Sequence, residues 1–249
     1  MKKLLASDEG LDKIFNISYC FRDEPYSPIH RNQFLMLEWY RKGERYEQIM
    51  KDVKRLIQYT QDNITAPIPN KITSFQQVTV QELFQEYLNF DVLNFLDKTE
   101  LKNKIQKDHK DVPLPSAECS WDDYFFLLFL NKVEPHFKTH PYLLVKEFPA
   151  PLAALSTIND RDHRVCDRFE VYLNGIELCN CFNEITNYTE LKKRFEDQAN
   201  EKKELYHYEL AWPKEFMQTM EKYPSSSGIA LGVERLLLAL TNISNPFFK

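Results

Sequence analysis

Three stretches of this 249-residue chain carry side chains whose types and spacing could do chemistry. The first is Phe21-Arg22-Asp23-Glu24, followed by a run from Gln33 to Tyr40. Strict alternation in that run places Phe34, Met36, Glu38 and Tyr40 on one face, with Leu35, Leu37 and Trp39 on the other. Glu38 therefore stands in an otherwise apolar row and needs a positive partner, either a salt bridge within the protein or a cationic ligand. Arg22 and Glu24 would by default form a surface pair, but Arg22 is also a natural two-pronged partner for a phosphate or carboxylate.

The second stretch, Arg168 to Phe182, holds Asn174-Gly175 between two alternating runs, the strongest short-range signal for a hairpin. A two-residue turn there pairs Tyr172 with Glu177 and sets Glu170 diagonally across from Glu177 on the same face. Two like charges that close call for a cation, unless the face is simply solvated. Hard carboxylate oxygens suit magnesium better than zinc. Glu184 lies just past the second run. Alternation turns Asn180 away from Glu177, so a single site using both requires a bulge near Cys179 to Cys181. In the third stretch, Gly228, Ala230 and Gly232 strip one strand face of side-chain volume, which admits either a flat ligand or another backbone. Arg235 heads the helix that follows.

These groups need elements to hold them. Alternation predicts antiparallel strands over residues 13–22 and 33–40, joined by a turn-prone segment from Pro25 to His30. Apolar spacing predicts a helix from Glu44 to Gln58 packed on them. Thr79-Val-Gln-Glu82 resembles a capping box opening a second helix, and Trp121 to Val133 reads as a third. Residues from about 65 to 140 thus read as a mainly helical insertion. A strand is expected from Tyr142 to Phe148, and helices from Thr189 to Lys203 and Trp212 to Lys222. Finally, Ser227-Gly-Ile-Ala-Leu-Gly-Val-Glu-Arg235 reads as a small-residue strand running into a helix.

With 43% apolar and 14% aromatic residues, the chain can bury one substantial core. A net charge of −5 gives no overall basic field for nucleic acid, though it leaves room for a local patch. Cys20, Cys119, Cys166, Cys179 and Cys181 include no C-x-x-C pair and read as reduced thiols. The longest apolar stretch, Tyr124 to Leu130, is too short to cross a bilayer, and no secretory signal opens the sequence. No membrane association and a cytoplasmic location are therefore expected.

Phe21-Arg22-Asp23-Glu24, His30 and Gln33-Phe-Leu-Met-Leu-Glu-Trp-Tyr40 together resemble motif 2 of class II aminoacyl-tRNA synthetases in its lysine-specific form. Gly228-Ile-Ala-Leu-Gly-Val-Glu-Arg235 resembles motif 3. Arg168-Phe-Glu-Val-Tyr172 and Gly175-Ile-Glu-Leu-Cys-Asn-Cys-Phe-Asn-Glu184 fall in the expected order between them, so the resemblance covers nearly the whole chain. Within that group, Glu147-Phe-Pro-Ala-Pro-Leu-Ala-Ala-Leu155 and the run from Asp162 to Glu170 are similar to the elongation factor P lysine ligase family. These are lysyl-tRNA synthetase paralogues that lack the anticodon-binding domain and attach β-lysine to a lysine of elongation factor P. Ala230 stands where lysyl-tRNA synthetases usually have Gly, a difference associated in the ligases with preference for β-lysine. Gln33 in place of Glu, Arg31-Asn32 in place of Asn-Pro and Cys181 in place of Gly depart from the usual pattern.

The resemblance implies an α+β class II synthetase catalytic fold, an antiparallel sheet flanked by helices, as a single domain over residues 1–249. Motif 2 would lie at 21–40, the helical insertion at about 65–140 and motif 3 at 228–240, with motif 1 and the anticodon-binding domain absent. It implies ATP and Mg2+ as cofactors. Arg22 would contact the ATP α-phosphate and the substrate carboxylate, with Phe34 stacked beneath adenine and Arg235 on the nucleotide's other side. Glu24, His30, Glu177 and Gly232 would assist in binding ATP, and Glu170 and Glu177 would carry magnesium. Glu38 and Glu184 would hold the substrate ε-ammonium with help from Tyr40, Asn180 would sit near its carboxylate, and Ala230 would border it. The implied reaction is adenylation of lysine or β-lysine and transfer to elongation factor P. Lysyl-tRNA formation ranks second, and a non-catalytic nucleotide-binding paralogue is the alternative of a different class. The family assembles as homodimers through motif 1.

Overall fold

The alternation over the first two runs becomes a long antiparallel pair, β1 (Lys13–Phe21) and β2 (Gln33–Lys42), in register from Lys13 opposite Arg41 to Phe21 opposite Gln33. The computed structural model describes residues 1–7, 10–23, 31–69, 71–241, 243 and 246, leaving aside the side chain of residue 206. Five further strands are β3 (Gln76–Thr79), β4 (Leu143–Pro149), β5 (Val165–Leu173), β6 (Ile176–Asn183) and β7 (Ser226–Gly232). They form one sheet in the order β1-β2-β7-β6-β5-β4-β3, antiparallel throughout except for β3 on β4.

The helices are α1 (Lys2–Leu5), α2 (Tyr46–Asn63), α3 (Val80–Leu88), α4 (Lys98–Asp108), α5 (Trp121–Leu128), α6 (Tyr188–Tyr206), α7 (Lys214–Met220) and α8 (Val233–Thr241). The apolar stripe of α2, including Ile49, Val53 and Ile57, packs with Leu236 and Leu240 of α8 against Phe169, Val171, Cys179, Cys181, Ile229 and Leu231. Those strand residues alternate along β5, β6 and β7, so one face of the sheet is sealed by α2 and α8. The opposite face carries the polar residues singled out above. It is flanked by two other cores, an aromatic one around Phe84, Phe125 and Phe129 in the segment before β4, and one joining Leu5, Tyr40, Met217, Met220 and Tyr223.

The segment from 65 to 140 is mainly helical, as expected, but it also carries β3, a short parallel strand at the sheet's edge formed by the polar run Gln76-Gln-Val-Thr79. Two expectations need correction. The helix expected to reach Val133 ends at Leu128, continues as a π-helical turn over Phe129–Val133 and tightens to a 3-10 turn over Glu134–Thr139, where Pro135 cannot donate an amide to an α-helix. The helix expected over Trp212 to Lys222 is confined to Lys214–Met220, following Pro213. The Thr79–Glu82 capping box forms as predicted, and Ser120 with Asp123 makes another at the head of α5.

The β5–β6 hairpin fixes the site. Asn174 and Gly175 have φ of 51° and 81°, the pair of positive values that a type I′ turn demands. Gly175 is required twice over, since a Cβ there would stand 2.9 Å from the Lys138 side chain and 3.1 Å from its backbone nitrogen. Tyr172 pairs with Glu177 as expected, but Val171 pairs with Cys179, leaving Leu178 as an extra residue. This bulge, a little before the stretch where one was required, reverses the parity of β6. Asn180 then comes opposite Glu170, on the same face as Glu177.

Candidate active site

Cross-strand pairing lays the chemistry out in rows on the open face, because directly opposed residues share a side of the sheet. One row runs Glu38, Ala230, Asn180, Glu170, and the next runs Tyr40, Gly228, Phe182, Arg168. Met36 opposite Gly232 begins a third. The bare backbone of β7 forms the floor of a groove of about 300 Å³, walled by Arg22, Arg31, Phe34 and Met36 on one side and by Arg168, Glu170, Glu177 and Asn180 on the other. Arg235 closes it from the first turn of α8.

One end is cationic. The Arg22 guanidinium lies 5.5 Å from the centre of the Phe34 ring. Arg235 donates from Nη1 to the Glu177 carbonyl at 2.9 Å and meets its carboxylate at 3.2 Å. The neighbouring Glu234 is buried and accepts the Leu35 amide at 2.8 and 3.0 Å, which ties the start of α8 to β2 beside Phe34.

Mid-groove, Arg168 is buried and fully committed. It donates from Nε to Asn180 Oδ1 at 3.1 Å, from Nη1 to the Leu152 carbonyl at 3.4 Å and from Nη2 to Glu170 Oε1 at 2.5 Å. Its guanidinium is flanked by the rings of Phe148 and Phe182, at 4.4 and 5.6 Å. The other Glu170 oxygen accepts the Tyr172 hydroxyl at 2.6 Å. Burial raises the Glu170 pKa, Arg168 opposes that, and the charge of Glu177 raises it further. The two carboxylates expected to need a cation are each met by a guanidinium, Arg168 for Glu170 and Arg235 for Glu177.

Next to the groove, farther along the same face, is an ammonium box. Glu184 is only 3% exposed and bonds Lys2 Nζ, which also lies 5.9 Å from the Tyr40 ring centre and 5.7 Å from that of Tyr223. Burial raises the Glu184 carboxyl pKa and Lys2 counters it. Burial, followed by the Glu184 charge, pushes the Tyr40 phenol upward as well. The box exists because residue 228 is Gly: a Cβ there would come within 2.2 Å of Tyr40 Cε1 and 2.8 Å of Glu184 Oε1. Glu38 faces Ala230 one row nearer the groove and has no ion-pair partner among the described residues.

Of the residues singled out by sequence, Arg22, Phe34, Glu170, Glu177, Asn180, Ala230, Gly232 and Arg235 line the groove. Tyr40 and Glu184 meet farther along the same face, beside Glu38. Glu24 and His30 lie outside the described residues. Lys2, Arg31, Arg168 and Glu234 were not assigned roles. Arg168 shares the face of Glu170 by simple alternation and could have been found that way, whereas nothing in the sequence links Lys2 to Glu184.

The tRNA synthetases of class II (D, K and N) match residues 1–245 of this chain. The chain belongs to that family. Among curated proteins, the elongation factor P–(R)-beta-lysine ligase of Proteus mirabilis is 34% identical over 240 residues, covering 96% of this chain and 70% of that protein. The ligase of the same name from Pseudoalteromonas translucida is 34% identical over 246 residues, covering 98% and 72%, and that of Enterobacter sp. 36% identical over 245, covering 96% and 70%. The family membership, ligase class and α+β synthetase fold expected from the motifs are thus met. Among the described residues no helix is long and apolar enough to cross a membrane.

The groove fits a nucleoside triphosphate: three guanidiniums, Arg22, Arg31 and Arg235, match its phosphates, and Phe34 offers a ring face. For magnesium the fit is narrower. Among the described residues no three His, Cys, Asp or Glu side chains gather to hold a metal, but Mg2+ commonly takes only one or two carboxylates together with substrate phosphates. Glu177, about two-fifths exposed at the groove wall, suits that role better than Glu170, whose oxygens are both engaged.

Proposed function

We propose that this protein uses ATP to activate lysine or β-lysine as an aminoacyl-adenylate and passes the acyl group to a lysine of elongation factor P; the names of its relatives give ligation of (R)-beta-lysine to elongation factor P for them. The observation that carries the proposal is the polarity of the open sheet face. Guanidiniums gather in the groove, carboxylates that can receive an ammonium stand next to it farther along β7, and the small-residue strand runs between.

In this scheme a substrate carboxylate oxygen attacks the α-phosphorus, and the bond to the departing pyrophosphate breaks. Arg22 and Arg235 neutralise the charge that develops on the phosphoryl oxygens, with no covalent nucleophile and no obligatory base. Magnesium, when bound, adds positive charge at the phosphates, with Glu177 as its principal protein ligand and Glu170 as its partner. Phe34 stacks on adenine, and Gly232 gives the nucleotide room. Glu38, Glu184 and Tyr40 read the substrate's ammonium, Asn180 borders its carboxylate, and Ala230 narrows the floor beside it. The acceptor amine then attacks the acyl carbon and releases AMP.

As parts of the same proposal, residues 1–249 form one catalytic unit, and the protein works in the cytoplasm; the family's homodimer is formed through motif 1, so a second copy of this chain would have to dock elsewhere. The exposed row Phe15, Ile17, Tyr19 and Phe21 along β1 supports an apolar face for the second copy.

Incubating the purified chain with ATP, magnesium, β-lysine or α-lysine, and either elongation factor P or lysine tRNA, tests the transfer. A mass increase of one lysyl group on elongation factor P is expected. Charging of tRNA with no modification of elongation factor P would replace the proposal with lysyl-tRNA synthesis.

A further inference from the structure

We infer, on the lysine reading above, that Lys2 is a tethered occupant of the substrate's ammonium subsite, and that free lysine binds by displacing it. The box around Glu184 is built for a primary ammonium: one buried carboxylate and two aromatic rings, Tyr40 and Tyr223, all turned on the same point. Ser226 Oγ donates to the Tyr223 hydroxyl at 2.9 Å, which fixes the second ring. The ammonium seated there is that of a lysine of the same chain, 182 residues away in sequence from its carboxylate.

The box adjoins the groove. Gly228, which opens it, is two residues along β7 from Ala230 on the groove floor, a separation of about 7 Å. An amino acid lying along β7 with its carboxylate toward Arg235 would aim a terminal ammonium at this box. Glu38, which faces Ala230 and has no ion-pair partner among the described residues, gives an incoming cation a first stop.

Lys2 is also held in a way that permits exchange. It sits on α1, which is anchored through Leu5 against the Met217, Met220 and Tyr223 cluster. Its ammonium hangs on a flexible four-carbon stem, so the side chain can turn away from Glu184 while Leu5 stays buried. Such an occupant weakens apparent affinity in proportion to the fraction of time the subsite is open, so nine-tenths occupancy weakens lysine binding about tenfold.

Calorimetric titration of lysine into the wild-type protein and into Lys2→Met, with norleucine as the analogue lacking the terminal ammonium, tests this without any catalytic step. Lys2→Met should bind lysine about tenfold more tightly or better, while norleucine binding stays equal in the two proteins. Equal or weaker lysine binding by a folded Lys2→Met protein would overturn the inference and make Lys2 a fixed counter-ion of Glu184. Should that variant fail to fold, ammonium NMR of wild-type protein carrying ¹⁵N-lysine decides. The Lys2 signal should be lost on adding unlabelled lysine, and its persistence at saturation overturns the inference. No lysine binding by either protein would instead sink the proposed function, and this inference with it.

Discussion

Replacing Gly228 with Ala adds a single methyl group at the point where the ammonium box is tightest. The new Cβ would lie 2.2 Å from Cε1 and 2.5 Å from Cδ1 of Tyr40, and 2.8 Å from Glu184 Oε1. Carbon atoms in contact prefer about 3.5–4.0 Å, so the tyrosine ring must retreat by more than about 1 Å. It has nowhere to go, because Tyr40 is packed among Leu5, Ile185, Met217, Met220 and Tyr223. Overpacking of this kind costs about 1–3 kcal/mol, enough to lower the melting temperature by several degrees. The same displacement breaks the box, and about 1.4 kcal/mol of lost binding raises KM for lysine about tenfold. KM for ATP should change far less, since the guanidinium end lies by Gly232, about 13 Å along the strand. Gly232→Ala is the control for stability and for KM of lysine, because a Cβ there meets only the Arg235 side chain at ordinary distances of 3.4–3.5 Å; any effect it has falls on KM for ATP. The assay is ATP–pyrophosphate exchange with varied lysine and varied ATP, alongside thermal unfolding. Gly228→Ala protein with unchanged stability and unchanged KM for lysine would refute the geometry argued for the box.

Three further outcomes follow from the same structure. Arg168→Met leaves Glu170 buried without its cation and should destabilise the fold by about 3–5 kcal/mol; Arg168→Lys should recover much of that stability but raise the magnesium concentration needed for half-maximal exchange, since Asn180 and Glu170 lose their shared clamp. Asp122 is pushed up from 3.8 to about 6, by burial first and then by Glu201 and Asp123. Its folded value lies above its unfolded one, so its contribution to stability is fully present below pH 3.8 and lost as pH rises through 6. Asp122→Asn should therefore stabilise by at most about 3 kcal/mol at pH 8 and give no gain at pH 3.5, as read by denaturant unfolding at each pH. Thr79→Ala removes a capping box remote from the groove and should cost about 1 kcal/mol without altering KM for lysine or ATP.

The strands that carry the site were legible in the sequence because alternation is local: β1, β2, the Asn174-Gly175 hairpin and the small-residue strand β7 all announce themselves within a few residues. What the sequence left open was parity. A bulge adds one residue without leaving a compositional mark, and Leu178 is an unremarkable apolar residue, yet its insertion is what turns Asn180 onto the face of Glu177. β3 was hidden for another reason, since Gln76-Gln-Val-Thr79 has no apolar alternation to read at a sheet's edge. The pairing of Lys2 with Glu184 is a contact between the chain's start and its last third, and no periodicity encodes such a contact. Net charge misleads in the same way: a chain of net −5 still assembles Arg22, Arg31, Arg168 and Arg235 around one groove.

The central claim, that this groove adenylates a lysine, is tested most directly by ATP–pyrophosphate exchange with α-lysine, β-lysine and no amino acid, in magnesium. Exchange that depends on β-lysine or α-lysine and is absent without amino acid is the predicted result. A folded protein that shows no exchange with either isomer would contradict the claim.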